Sequence, residues 1–335
     1  MPVSIREVAA KAGVSPSTVS QVLNENFKVN ISEVTRDRVR GVAAEMGYRP
    51  NQFARSLGRR KTDTIGLMVS AISNPFFADL VEKAERMLFE SGYQVFLDSG
   101  PAELGSYAEH AKLRGWPVDG VLIWAFPDQT LEHFLASQAI GTPVVYMGYQ
   151  RSDDGDCVYF DTYAGCRVAL VHLKERGYTR VGFISPGEIG NMRASNKIHA
   201  YRDFCREAGW EERVVLQKRQ EQTRRAGFET GLALAALPAH ERPDAVICNN
   251  DVIAHGVYFG ARRGGLRIPD DLAIVGFDGL EESLYLDIPL TTVVLPCEEM
   301  CLKSLAVLQS RLDKTAGPEP QSVRIETPLR IGEST

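Results

Sequence analysis

At 335 residues the chain exceeds a typical single domain, so two or three cores are expected. A balance of 44% apolar and 24% charged residues is ordinary for a soluble globular protein, and no apolar run approaches the length needed to cross a bilayer. The net charge of −5 hides an asymmetry: residues 1–61 hold 11 Lys and Arg against 5 Asp and Glu, while the rest of the chain is acidic. A basic end on an acidic body suggests that one end meets a polyanion. Met1-Pro-Val-Ser-Ile-Arg-Glu7 lacks the basic-then-apolar layout of a secretory signal, so a cytoplasmic location is expected. Six dispersed cysteines without a C-x-x-C pair give no zinc-ligand spacing and read as core residues in a reducing compartment; no cofactor is expected.

The first elements are helical. Ser4-Ile-Arg-Glu7 has the form of a capping box, Ile5, Val8, Ala9 and Ala12 follow at one-face spacing, and Gly13 supplies the stop. Ser15-Pro16 restarts a helix that runs to Asn24, with serine as cap and proline where its missing N–H does no harm. Two helices joined by Ala-Gly-Val form a helix-turn-helix pattern, the second placed to enter a major groove. On it, Ser17, Thr18, Ser20, Gln21 and Asn24 can reach bases or phosphates, and Ser4, Ser15 and Pro16 at the helix starts complete the candidate DNA-facing set. A third helix is expected from near Ser32, with Val39, Val42, Ala43 and Met46 on its buried face and Gly47 closing it.

From Thr64 onward, strand-like runs alternate with helical stretches. Thr64–Val69, Gln94–Asp98, Gly120–Trp124 and Val144–Met147 form one series. Val181–Ser185, Val214–Gln217, Ala245–Cys248, Ala273–Phe277 and Thr292–Leu295 form a second, and Ser322–Pro328 is the last strand-like run. Such alternation predicts parallel sheets covered on both faces, and this many strands suit two doubly wound lobes better than one sheet. Ligands in such folds sit beyond the carboxyl ends of strands, here in a cleft between lobes.

The stretches "SIREVAAKAGVSPSTVSQVLN" and "SEVTRDRVRGVAAEMGYRPNQFARSL" resemble the headpiece of LacI/GalR-type bacterial transcription regulators. The resemblance implies that the segment after "GYRPN" is a hinge helix, ordered on DNA, whose leucine wedges between base steps in the minor groove. The matching residues are Asn51, Ala54 and Leu57, with Arg55 near phosphates; Leu57 packing on its own domain is the plainer alternative. Gln21 stands where the family commonly has an arginine suited to guanine, so an operator with different bases at that position is expected. The stretch Glu25–Ile31 is about two residues longer than the commonest family loop.

The resemblance continues through "IGLMVSAISNPFFADLVEKAERMLFESGYQV", "DAVICNNDVIAHGVYFGARRGGLRIPDDLAIVGFDG" and "PLTTV". It implies an all-α helix-turn-helix headpiece (1–49), a hinge helix and linker (50–61), and an α/β body (62–335) with the type I fold of periplasmic sugar-binding proteins. The expected lobe boundaries are 62–161 with 291–320 for the first lobe, and 162–290 with 321–330 for the second. Asn74, Phe76 and Phe77 match cleft positions of the first lobe, Trp124 and Phe126 lie at a strand end where side chains can reach a ligand, and Asn250 and Asp278 match polar positions of the second lobe. Phe76 fits core as well as cleft, and Asp251 reads as a helix N-cap before a ligand. Lys197 stands where the family often has arginine, keeping the charge without the two-pronged fork, and Gly148 stands where an aspartate is frequent. A sugar or sugar derivative is the effector expected.

These readings combine into a DNA-binding transcription regulator, a repressor before an activator, in which an effector between the lobes sets whether paired hinge helices form on DNA. The short stretch after the last strand-like run carries no heptads, so the partners expected are a second copy in a homodimer, near-palindromic double-stranded operator DNA and a small-molecule effector, with no membrane. A small-molecule binding protein of a transport system would fit the body but gives a basic headpiece no task. An enzyme is disfavoured, since no glycine-rich phosphate loop, G-x-S-x-G elbow or metal cluster occurs.

Overall fold

The computed structural model describes residues 3–23, 31–48, 61–69, 72–99, 118–124, 142–149, 151, 155–185, 196–216 and 223–335. The chain divides into two compact units, Met1–Asp63 and Thr64–Thr335.

The first unit holds helices α1 (Ile5–Ala12), α2 (Pro16–Leu23) and α3 (Glu33–Glu45). The capping box forms: the Ser4 backbone N–H donates to Glu7 Oε2 at 2.7 Å, and the Glu7 N–H to Ser4 Oγ at 3.4 Å. Gly13 ends α1 with φ +64°, the left-handed conformation that a residue with a Cβ resists. Val8, Ala9, Ala12, Val19, Val22, Val39 and Ala43 form one small core, each helix giving its apolar stripe. Val42 and Met46, expected to be buried, pack against that core half-exposed.

In the second unit, one parallel sheet comprises β1 (Thr64–Val69), β2 (Gln94–Ser99), β3 (Gly120–Trp124), β4 (Val144–Gly148), β5 (Cys157–Phe160) and β11 (Ser322–Ile325), in the order β11-β5-β4-β3-β1-β2. The other comprises β6 (Val181–Ser185), β7 (Arg213–Leu216), β8 (Ala245–Cys248), β9 (Ala273–Asp278), β10 (Thr291–Val294) and β12 (Leu329–Arg330), in the order β12-β10-β9-β8-β6-β7, with β12 alone antiparallel. Helices α4 (Pro75–Glu90) and α9 (Cys297–Leu312) belong with the first sheet; α5 (Thr162–Glu175), α6 (Asn196–Ala208), α7 (Arg224–Ala235) and α8 (Asp251–Arg263) belong with the second. Strands β1, β3, β4, β6, β8 and β9 are apolar on both faces because helices cover both, so they lack the alternation of a half-exposed strand. Helices α7 and α8 pack closely through glycines: a Cβ on Gly256 would lie 2.2 Å from the Arg224 carbonyl oxygen.

Two features correct the sequence reading. Residues 157–160 form a strand outside the runs expected from the sequence. The lobe boundaries also differ: β10 pairs with β9 in the second lobe and β11 with β5 in the first, the reverse of the expected exchange. A four-residue apolar strand carries no local mark of its partner. The buried hydroxyl of Thr292 decides this one, because it donates to Asp251 Oδ1 at 2.7 Å, an acceptor that only the second lobe offers. The chain therefore crosses between lobes at Asp161, at Leu295-Pro296 and at Glu326-Thr327-Pro328.

Candidate effector cleft and DNA-facing helix

Ser15 and Pro16 start α2 as expected from their chemistry. The Thr18 N–H donates to Ser15 Oγ at 3.1 Å, and the Ser15 hydroxyl lies 2.7 Å from that of Ser17 and 2.8 Å from that of Thr18. Three hydroxyls thus gather at the positive end of the helix, a place suited to a phosphate. Val19 and Val22 anchor the opposite face, leaving Ser17 exposed and Ser20 and Gln21 half-exposed. Ser4 is committed to its capping box, donating its hydroxyl to Glu7 Oε2 at 2.8 Å. Asn24, Asn51, Ala54, Arg55 and Leu57 lie outside the described residues, as does Phe126.

The first-lobe side of the cleft is built of rings. Asn74 caps α4 by accepting the Phe76 N–H at 3.1 Å, which fixes the start of the helix carrying Phe76 and Phe77. Both phenylalanines are edge-on to Trp124, with ring centroids 5.3 Å apart in each case, and Phe160 backs the cluster. Phe76 is 2% exposed, which places it in the core. Trp124, at the carboxyl end of β3, is fully buried, and among the described residues its Nε1–H has no hydrogen-bond partner. Tyr149, which follows β4 and was not singled out in the sequence, lies 5.0 Å from the Trp124 ring.

The second-lobe side is polar. Lys197, near the start of α6, donates to the Asn249 carbonyl at 2.7 Å and lies over the rings of Phe277 (4.2 Å) and Tyr149 (5.2 Å). Asn196 Nδ2 donates to the Tyr149 carbonyl at 3.2 Å, a direct bond between lobes. Asp278 ends β9 with φ +118°, a backbone conformation that a non-glycine residue rarely adopts and that is stored at functional sites. Its Oδ2 is buried without a hydrogen-bond partner among the described residues. Burial pushes the Asp278 carboxyl well above the ordinary aspartate range, opposed by the Lys197 charge; burial likewise lowers the Lys197 ammonium, opposed by Asp278. Tyr149 is raised by burial and then by Asp278, so its hydroxyl senses that carboxylate.

One reading is corrected here. Asn250, and not Asp251, caps α8: its Oδ1 accepts the Ile253 N–H at 2.9 Å. Asp251 turns inward, fully buried, and accepts from the Leu280 N–H (2.8 Å), the Ser283 hydroxyl (3.0 Å) and Thr292. Its carboxylate ties together the loop following Asp278, residue 283 and β10. A helix-starting Asn-Asp pair gives no local sign of which member caps, because both side chains suit the position. Phe76, Phe77, Trp124 and Lys197 thus converge through Tyr149 and Phe277, the Asp278 charge acts on Lys197 and Tyr149, and Asn74 and Asn250 serve as helix caps.

Comparison with known proteins gives this arrangement a family. Residues 4–51 match bacterial regulatory proteins of the lacI family, and residues 170–335 match the periplasmic binding protein-like domain. The ribose operon repressor of Escherichia coli (strain K12) is 31% identical over 97% of this chain and 97% of its own length. The HTH-type transcriptional repressor PurR of Proteus mirabilis is 30% identical over 98% and 95%. A LacI regulator from Lactobacillus casei with bound Tris superposes with a TM-score of 0.71 at 28% identity, covering 82% of this chain and 98% of that one. The lac repressor dimer bound to operator and the anti-inducer ONPF superposes with a TM-score of 0.84 over 100% and 99%, and at 22% identity speaks for the fold. These relatives are transcriptional regulators, not enzymes. The chain belongs to the LacI family of bacterial regulatory proteins, as a DNA-binding transcriptional repressor controlled by a small-molecule effector.

Proposed function

We propose that the effector is a sugar or sugar derivative held between the aromatic wall of Phe76, Phe77, Trp124 and Phe126 and the polar wall of Lys197, Asn250 and Asp278, with Asn74 at the rim. The observation that carries this reading is the meeting of edge-on rings from one lobe with a buried lysine and aspartate from the other. Ring faces cover the C–H surface of a sugar while charged and amide groups take its hydroxyls. The relatives are consistent with it: they include a ribose operon repressor and a CelR–cellobiose complex, the latter 28% identical with a TM-score of 0.70. An effector bound across both walls favours one angle between lobes that the chain joins by three crossings.

As a family member the protein acts on operator DNA as a dimer. In our reading Ser15, Pro16, Ser17 and Thr18 sit against phosphate, Ser20, Gln21 and Asn24 read bases, and Ser4 adds a backbone contact. Asn51, Ala54, Arg55 and Leu57 form a hinge helix in the minor groove, and the setting is cytoplasmic. Selection of binding sites from random DNA, followed by gel shifts on the selected site, tests this. Gln21→Arg should alter the preferred base at one half-site position, and Leu57→Ala should weaken specific binding by at least tenfold while leaving the melting temperature of the body unchanged. Unaltered preference and affinity in both variants would refute these assignments.

A further inference from the structure

The hydrogen-bonding inventory of the cleft is uneven. Lys197 is 5% exposed, yet among the described residues its nitrogen makes one hydrogen bond, to a backbone carbonyl, leaving two N–H donors. Among the described residues no carboxylate lies within 4.0 Å of that nitrogen. The buried Nε1–H of Trp124 is a further open donor, and the ring of Tyr149 touches both Trp124 and Lys197, so the two sets of donors flank one side chain. Beside them, among the described residues, stands an open buried acceptor, Asp278 Oδ2, on a carboxyl that burial raises and the Lys197 charge lowers. The strand end immediately before Tyr149 is Gly148, which brings no side chain. In a neutral sugar site each polar wall atom meets a hydroxyl, which is both donor and acceptor. Here the charge of Asp278 acts on the Lys197 ammonium, but among the described residues no carboxylate lies in ion-pair range, so an anion at its open donors would offset the cost of burying it.

We infer that the effector is an acid of sugar size, whose carboxylate or phosphate is received by Lys197 while the Trp124 N–H and Asp278 hold hydroxyls of the same molecule. The inference rests on the reading of this cleft as the effector site, and deepens it from sugars in general to their anionic derivatives. Lysine, a compact point charge, suits either anion; it does not impose the two-pronged geometry that arginine gives a carboxylate.

The test uses the full-length protein and a panel covering the common aldopentoses and aldohexoses, each as the neutral sugar, its aldonate and its terminal phosphate. Melting-temperature shifts find the binders and calorimetry ranks them. The expected result is that an aldonate or a sugar phosphate binds at least tenfold more tightly than its neutral parent; which of the two does so identifies the acidic group. Lys197→Met, similar in length and compatible with burial, should abolish that preference, and Lys197→Arg should keep it. If Lys197→Met does not fold, loss of the preference in the wild type as pH rises above the range where lysine is protonated serves in its place. A neutral sugar that binds as tightly as its acids, or a preference that survives Lys197→Met, would overturn the acid proposal and leave the effector site standing. Failure of the whole panel to bind would remove both the proposal and the sugar-site reading beneath it.

Discussion

The two walls of the cleft are equally buried and chemically opposite. Phe76, Phe77 and Trp124 in the first lobe are at most 6% exposed, and so are Lys197, Asn250 and Asp278 in the second. The first wall is closed by packing: its rings touch one another edge-on and extend without a break into the lobe core. The second is held in place by hydrogen bonds that leave particular atoms open, and it includes a strained backbone at Asp278. Burial alone therefore says little about function. What marks the second wall as recognising is the polar capacity that its own fold does not use.

That contrast can be broken experimentally. If the first wall is core before it is pocket, Phe76→Ala should destabilise the body by about 3–5 kcal/mol, since it removes a fully packed ring. Urea melts measure this, and a loss under about 1 kcal/mol would show that the ring is there for a ligand and not for the fold.

The second wall is sharpened by pH. Behind Asp278, Asp251 and His255 are joined through Ser283, whose hydroxyl lies 2.8 Å from His255 Nε2 and donates to Asp251. Burial lowers His255 to about 4, aided by Arg224 and opposed by Glu282. Burial raises Asp251 to about 6 against the pull of Thr292, Leu280, Ser283 and Arg330. The signs oppose. A histidine lowered below its unfolded value contributes stability above pH ~6.5 that is lost as pH falls toward 4; an aspartate raised to about 6 gains stability as pH falls through the same window. Each limb is worth on the order of 3 kcal/mol at most, so the wild type should change little between pH 6.5 and 4 from this pair. Asp251→Asn should expose the histidine limb, making the protein less stable in acid, and His255→Gln should expose the opposite slope. Parallel pH profiles for both variants would show that the two groups are not the titrating pair.

The smallest effect is expected at the seam between the walls. Trp124→Phe keeps a ring and removes only the open N–H, so stability should move by about 1 kcal/mol or less while effector affinity falls about two- to tenfold, the worth of one hydrogen bond. Thermal melts beside calorimetric titration separate the two readouts, and unchanged affinity would mean that the indole nitrogen is not a contact.

Much of this was legible in the sequence because it depends on short-range rules. The capping box at Ser4, the Ser15-Pro16 helix start and the stop at Gly13 are local hydrogen-bond and dihedral preferences. The buried strands are apolar runs on both faces, visible wherever helices cover a parallel sheet. Residues 157–160 escaped because four residues give too short a run, and Tyr149 escaped because a tyrosine after a strand is unremarkable until its ring is seen between Trp124 and Lys197.

The sequence by itself determined the helical headpiece, its basic charge and the two doubly wound lobes, since periodicity, caps and charge act over a few residues. Tertiary structure alone decided which lobe took β10 and β11, that Asn250 and not Asp251 caps α8, and that Lys197 is buried over the Phe277 ring. In each case local chemistry permits more than one arrangement. The choice follows from satisfying buried polar atoms, such as the hydroxyl of Thr292 against the carboxylate of Asp251, between residues 41 apart in the chain.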